Sequence, residues 1–198
     1  MNNEGVNQDR RWFLIGSTAA VGAVGAAAAA VPFVKAWNPS AKAKAAGAPI
    51  KIDISKLSPG ERVIAEWRSK PIWVVRRTEQ SLADLPKLND SLRDPKSEMD
   101  QQPVYAQNPN RSIKDEYVVL IGLCTHLGCS PTYRPELGAE DLGGDSWLGG
   151  FFCPCHGSKF DLAGRVFQGV PAPYNLEVPP HFYEDENTIV IGLEGEAA

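Results

Sequence analysis

Cys124-Thr125-His126-Leu127-Gly128-Cys129 and Cys153-Pro154-Cys155-His156-Gly157-Ser158 are the two stretches on which this chain turns. Together they hold all 4 cysteines and two of the 3 histidines among 198 residues. A gathering of that kind points to one shared site. Soft thiolates combined with imidazoles suit zinc or an iron–sulfur centre. A closed zinc site needs four ligands, and Cys124, His126, Cys153 and His156 would supply them. Cys129 and Cys155 would then have no role in a reducing cytosol, whereas in an oxidising compartment they could tie one loop to the other. Residue types alone leave both metals open.

The pairing of C-x-H-x-x-C with C-x-C-H-G-S resembles the Rieske iron–sulfur family. The resemblance implies one [2Fe-2S] cluster per chain. Cys124 and Cys153 would hold the buried iron and His126 and His156 the outer one, while Cys129 and Cys155 would form a disulfide. Two imidazoles in place of two thiolates make such a cluster easier to reduce, with potentials of about −150 to +300 mV. The outer nitrogen of each ring stays free to carry a proton, and its affinity depends on the charge of the iron. His126 and His156 would therefore be both ligands and the catalytic pair that receives from a quinol.

Several neighbours resemble the supporting residues of that family. Gly128 and Gly157 allow tight turns. The Ser158 hydroxyl can donate to a cluster sulfur and so favour the reduced state. Leu127 would be an apolar contact at the exposed tip. Gly169-Val170-Pro171-Ala172-Pro173 resembles the proline loop that covers the cluster, so Gly169, Pro171, Ala172 and Pro173 join Leu127 as lid and quinol contacts. One position departs: members of the mitochondrial type carry tyrosine two residues after the serine, where this chain has Phe160.

Outward from the boxes, Tyr117 to Leu123 is an apolar strand running into the first, and Trp147 to Phe152 leads into the second. Ile50 to Ile54 alternates apolar and polar like a half-buried strand. Arg62 to Trp67 and Ile72 to Arg76 read as strands joined by a turn around Ser69-Lys70-Pro71. Thr78 to Leu85 reads as a short helix capped by Thr78. Asn89 to Arg111 is polar and broken by prolines, which predicts a long surface insertion. Phe160 to Phe167 and Thr188 to Leu193 read as closing strands, and His181 as a surface or partly packed residue that is no ligand. The expected fold is mainly β: an N-terminal transmembrane helix, then an antiparallel Rieske-type β-sandwich over residues 49–198 with an inserted cluster-binding subdomain at about 123–162.

The N-terminal part divides by composition. Residues 1–11 form a polar cytoplasmic segment, and Arg10-Arg11 followed by Trp12-Phe13-Leu14 resembles a twin-arginine export signal. Such export carries folded proteins, which suits a cofactor inserted in the cytosol. Residues 12–35 are the expected anchor: no charge stands between Trp12 and Val34, a run of roughly 34 Å as a helix against a bilayer core of about 30 Å. A cleaved signal peptide is the competing reading, with Ala-x-Ala sequences between Ala41 and Ala48. Residues 36–48 are expected as a flexible hinge, spanning at most roughly 45 Å when extended and less if the Ala/Lys middle is helical.

The resemblance covers nearly the whole chain. It implies the Rieske subunit of a bacterial quinol–cytochrome c oxidoreductase, taking electrons from quinol and passing them to a c-type cytochrome. A cytochrome b partner would hold most of the quinone pocket, in a dimeric complex. The chain would cross the bacterial inner membrane once, with the cluster domain on the periplasmic side. The alternative is the small Rieske subunit of another exported oxidoreductase, of the arsenite oxidase type. A membrane-anchored structural zinc protein is a third class. A net charge of −4 without a long basic run gives no reason to expect nucleic acid as a partner.

Overall fold

Two adjacent strands carry near-continuous apolar runs, Ile72–Val75 and Val118–Ile121, and their burial organises the fold. Every residue of both runs is at most 2% exposed in this computed structural model. The structure describes Gly5 and residues 7–193; residues 1–4 and 6 of the expected cytoplasmic segment and residues 194–198 of the expected cluster domain lie outside the described residues. The chain forms two units, Met1–Ala45 and Ala46–Ala198.

The first unit is helical. Its helix α1 runs Gln8–Ala36 and is capped by Asn7, whose side chain accepts from the Arg10 N–H at 3.1 Å. Asp9 in the first turn complements the positive end of the helix. α1 thus begins ahead of residue 12 and takes in Arg10 and Arg11. It is long and apolar enough to cross a membrane, and none of its residues is buried within the unit. After a break at Trp37 to Ser40 comes α2 (Ala41–Ala46), whose Ala43 N–H donates to Ser40 Oγ at 3.1 Å. The Ala/Lys middle of the expected hinge is therefore helical.

The second unit is built from three antiparallel sheets. β1 (Ile50–Asp53) pairs with β9 (Thr188–Ile191), which pairs with β8 (His181–Tyr183). β2 (Arg62–Trp67), β3 (Lys70–Arg76) and β4 (Tyr117–Ile121) form the second sheet. β5 (Thr132–Arg134), β6 (Gly150–Cys153) and β7 (Ser158–Asp161) form the third. Successive side chains on a strand point to opposite faces. Ile72, Val74, Val119 and Ile121 therefore meet Ile52, Ile189 and Ile191 of the first sheet. Trp73, Val75, Val118 and Leu120 meet Phe151, Cys153 and Phe160 of the third. β3 and β4 are buried on both faces between the other two sheets, which is why Ile72–Val75 and Val118–Ile121 are apolar at every position. The first two sheets make the sandwich, and the third carries the second cysteine-bearing loop at its β6–β7 hairpin. α3 (Glu79–Asp84) follows β3, with Thr78 accepting the Ser81 N–H at 3.0 Å as expected.

Four expectations need correction. The β2–β3 turn is Arg68-Ser69, with φ of 52° and 58°, and Lys70 and Pro71 already lie in the strand opposite Trp67 and Glu66. A two-residue turn with both φ positive matches the twist of paired strands, and here no Asn or Gly advertises it. The segment Asn89 to Arg111 is not a surface insertion: Leu92, Ser97, Ala106 and Arg111 are buried. Much of its buried polarity is paired inside the unit, as Arg111 donates to the carbonyls of Ala163 at 3.2 Å and Gly164 at 3.4 Å and to Gln102 Oε1 at 3.0 Å.

Phe160 to Phe167 is not one strand. β7 ends at Asp161, whose carboxylate accepts the Ala163 N–H at 2.9 Å and the Arg165 N–H at 2.8 Å, and Val166 bridges back to Phe160. His181 is 1% exposed, not a surface or partly packed residue. It opens the short strand β8, its Nδ1 lies 2.8 Å from the Pro179 carbonyl, and burial pushes its pKa down to about 4.

Candidate metal centre

β4 continues through Gly122 and Leu123 into the first loop, while the second closes the β6–β7 hairpin, where Cys153 pairs with Ser158. Both loops make the same turn. Gly128 N–H donates to the Cys124 carbonyl, and Gly157 N–H to the Cys153 carbonyl, each at 2.9 Å. The two glycines have φ of 80° and 78°, and a Cβ at either would meet nothing within 4 Å. Glycine is needed there for backbone conformation and not for room. The first loop is also closed at its base, with the Cys124 N–H donating to the Cys129 carbonyl at 2.7 Å.

These turns bring the sequence-predicted residues together. Cys129 and Cys155 form a disulfide with Cα atoms 6.7 Å apart, bridging the loops. Cys124 and Cys153 are free thiols, 3% and 2% exposed, in one core cluster with Trp73, Phe151, Phe160 and Ala172. The rings of His126 and His156 lie 4.8 Å apart between centroids at 86°. His126 is half-buried, His156 is exposed, and Leu127 beside them is 71% exposed. Cys153 Sγ also lies within 4.8 Å of both disulfide sulfurs, but a disulfide sulfur is no thiolate and cannot take that part in binding a metal.

The donor set fits an iron–sulfur cluster of Rieske type. Burial raises the Cys153 thiol pKa, and the neighbouring Cys124 thiol adds to the shift. A buried thiol of this kind becomes a thiolate when a metal cation takes the place of the proton. Two such thiols below two imidazoles, with the remaining cysteines locked in a disulfide, leave one sulfur and one nitrogen donor per loop. A structural zinc would use the same four donors, so geometry alone does not separate the two metals.

The flanking residues enclose this site on one side. Ser158 is fully buried, and its Oγ accepts the Ala172 N–H at 3.1 Å. Ala172 is itself fully buried, Pro173 is half-buried, and Gly169 and Pro171 are exposed. Thr125, which the sequence did not single out, donates through its hydroxyl to the Tyr174 carbonyl at 2.6 Å and fastens the first loop to the end of the proline loop. Asn175, also missed, has its side chain buried among backbone partners from two other segments. An asparagine directly after a proline-rich loop is a turn signal that pointed there.

Comparison with known proteins resolves the choice of metal. Residues 90–180 match the family model described as Rieske [2Fe-2S] domain, and residues 1–40 match one described as Ubiquitinol-cytochrome C reductase Fe-S subunit TAT signal. The chain is 60% identical over 198 residues to a ubiquinol-cytochrome c reductase iron-sulfur subunit of Allochromatium vinosum, covering 100% of this chain and 95% of that one. It is 44% identical to the protein of the same name from Blastochloris viridis, over 92% of each chain. The corresponding Bradyrhizobium diazoefficiens protein is 42% identical, over 92% of this chain and 94% of its own.

Proposed function

This chain belongs to the family of ubiquinol–cytochrome c reductase iron–sulfur subunits, and we propose that Cys124, His126, Cys153 and His156 hold its single [2Fe-2S] cluster. The observation that carries the assignment is the meeting of two buried free thiols and two adjacent imidazoles on loops bridged by a disulfide. When bound, the cluster supplies one-electron transfer at a potential raised by its imidazole ligands.

The chain's own residues do the rest. Cys124 and Cys153 anchor the cluster on the core side and keep water from it. The Cys129–Cys155 disulfide fixes the spacing of the loops. His126 and His156 present their second ring nitrogens at the open side beside Leu127. There they accept a hydrogen bond from the quinol hydroxyl and then its proton. The Ser158 hydroxyl, which accepts the Ala172 N–H, would donate to a cluster sulfur, and Gly169, Pro171, Ala172 and Pro173 would cover the cluster. Phe160 fills its place without adding a donor.

The subunit is membrane-anchored through α1. We place the cluster unit on the periplasmic side of the bacterial inner membrane, with a single crossing and a hinge at 36–48. A disulfide suits that oxidising compartment, and twin-arginine export delivers a folded domain there. The partners are cytochrome b and a c-type cytochrome in a dimeric complex that oxidises quinol. Purification of the tagged chain from its native membranes tests this. Cytochrome b and a c-type cytochrome should come down together with quinol–cytochrome c reductase activity. Recovery of the loaded chain without cytochrome b would overturn the assignment.

A further inference from the structure

Ser158 carries one hydroxyl proton and an oxygen that can accept. Its oxygen accepts the Ala172 N–H at 3.1 Å, and its proton finds no acceptor among the described residues. Both residues are fully buried. A backbone N–H is a donor only, so while it is seated the hydroxyl cannot turn its proton towards the loop. The proton must then point to the remaining side, where Cys153 pairs with Ser158 across the hairpin. Leaving it without an acceptor in a buried site would be costly.

What holds the Ala172 N–H in place lies far away in sequence. Asn175, 1% exposed, accepts the Val166 N–H through Oδ1 at 2.8 Å and donates through Nδ2 to the Asp94 carbonyl at 3.1 Å. The Asp94 carboxylate is pinned in turn by the N–H groups of Glu98 at 2.9 Å and Met99 at 3.1 Å. Arg93 donates through Nη2 to the Val170 carbonyl at 3.3 Å, in the middle of the proline loop. Gln168, at the loop's entrance, donates to the Leu92 carbonyl at 2.9 Å. Residues 92–94 therefore grip the segment 168–175 at its start, middle and end.

We infer that the segment around residues 92–94 is a clamp that sets the cluster's potential at a distance: Asn175 and Arg93 are positioning residues that hold the proline loop so that the Ala172 N–H orients the Ser158 hydroxyl towards the cluster. The inference rests on the cluster assignment above. An oriented donor stabilises the reduced, more negative state. A loosened clamp frees the hydroxyl to rotate and lowers the potential, although nothing near the metal has changed.

The test is a double-mutant cycle on the full chain in detergent. Midpoint potentials are measured by voltammetry for Asn175→Ala and Arg93→Ala, each with Ser158 intact and with Ser158→Ala. Amide exchange of the peptide spanning Ala172 is followed by mass spectrometry. The expected result is faster exchange at that peptide, a lower potential with Ser158 present, and no further fall once Ser158 is alanine. A fall of equal size in both backgrounds would overturn the inference, as would an unchanged potential. Should Asn175→Ala fail to fold, the exposed Arg93 decides by the same two readings. A wild-type chain without a Rieske spectrum would instead refute the cluster assignment, so the two failures are distinguishable.

Discussion

The two ligand loops share a backbone turn and differ in almost everything attached to it. In each, a glycine with φ near 80° donates to the carbonyl of the cysteine four residues before it. Yet the histidine stands two residues after the cysteine in the first loop and three after it in the second. The disulfide cysteine is last in the first loop and lies inside the turn in the second. The first loop is braced, by the Cys124 N–H on the Cys129 carbonyl and by Thr125 on the Tyr174 carbonyl, and its histidine is half-buried. The second is a bare hairpin end, with Pro154, Cys155 and His156 all exposed. One turn geometry thus delivers the same pair of donors from different registers. The disulfide makes up for the looser loop by tying it to the braced one.

If the loops are equal as ligand carriers, removing any one donor should have the same consequence. Cys153→Ala and His126→Ala are each expected to abolish the cluster, read from visible and EPR spectra of the purified chain. A variant that kept the Rieske signal would show that its loop is dispensable.

The disulfide comes next in size. Cys129 and Cys155 are 26 positions apart, and closing a loop of that length contributes roughly 3–4 kcal/mol in the chain-entropy account. Cys155→Ser should lower the unfolding free energy by about that amount in urea titration, with the greater loosening in the second loop, which among the described residues has no counterpart of the Thr125 and Cys124 braces. Equal loosening of both loops by hydrogen exchange would show that the two are braced alike.

The shared turn is tested more finely by its glycines. Gly128→Ala and Gly157→Ala should each cost about 1–2 kcal/mol, because the strain comes from the left-handed backbone and no neighbour obstructs a Cβ. Markedly unequal losses in thermal melts would mean that the turns are alike in outline only.

Smallest is the effect of the residue behind the second loop. Phe160 packs opposite Phe151 across the β6–β7 pair and shares the core with both free thiols. Phe160→Tyr adds a donor, and a hydrogen bond to a charged group is worth about 1.5–3 kcal/mol at most. At about 59 mV per ~1.4 kcal/mol for one electron, the potential should rise by tens of millivolts, up to about 100 mV. Ser158→Ala should lower it similarly. Voltammetry reads both, and a Phe160→Tyr potential that stayed put or fell would refute this account of the tuning.

The boxes were legible because chemistry fixes residue type and spacing together, and no other segment of this chain gathers cysteine with histidine. Strands β3 and β4 of the second sheet were legible because burial on both faces forces unbroken apolar runs, as at Val118 to Ile121. What stayed hidden was polar structure held inside the fold. Arg111 and Asp94 read as surface residues by type, but the distant Ala163 and Gly164 carbonyls hold Arg111 inside, and the nearby N–H groups of Glu98 and Met99 satisfy the Asp94 carboxylate. The Arg68-Ser69 turn lacked its usual residues, and His181 gave no sign of being sealed into a short strand. Arg111 and His181 depend on long-range partners, and no local pattern encodes those. The tie from Thr125 to Tyr174 is of the same kind.

The central claim is that each loop contributes one sulfur and one nitrogen to a single cluster. Pulsed EPR on the reduced full-length chain, prepared with natural-abundance and with ¹⁵N-labelled histidine, measures this directly. The account predicts strong couplings from two histidine nitrogens, which change with the label and vanish together with the cluster signal in His126→Ala. A reduced cluster showing no histidine coupling, or coupling to one histidine alone, would contradict it.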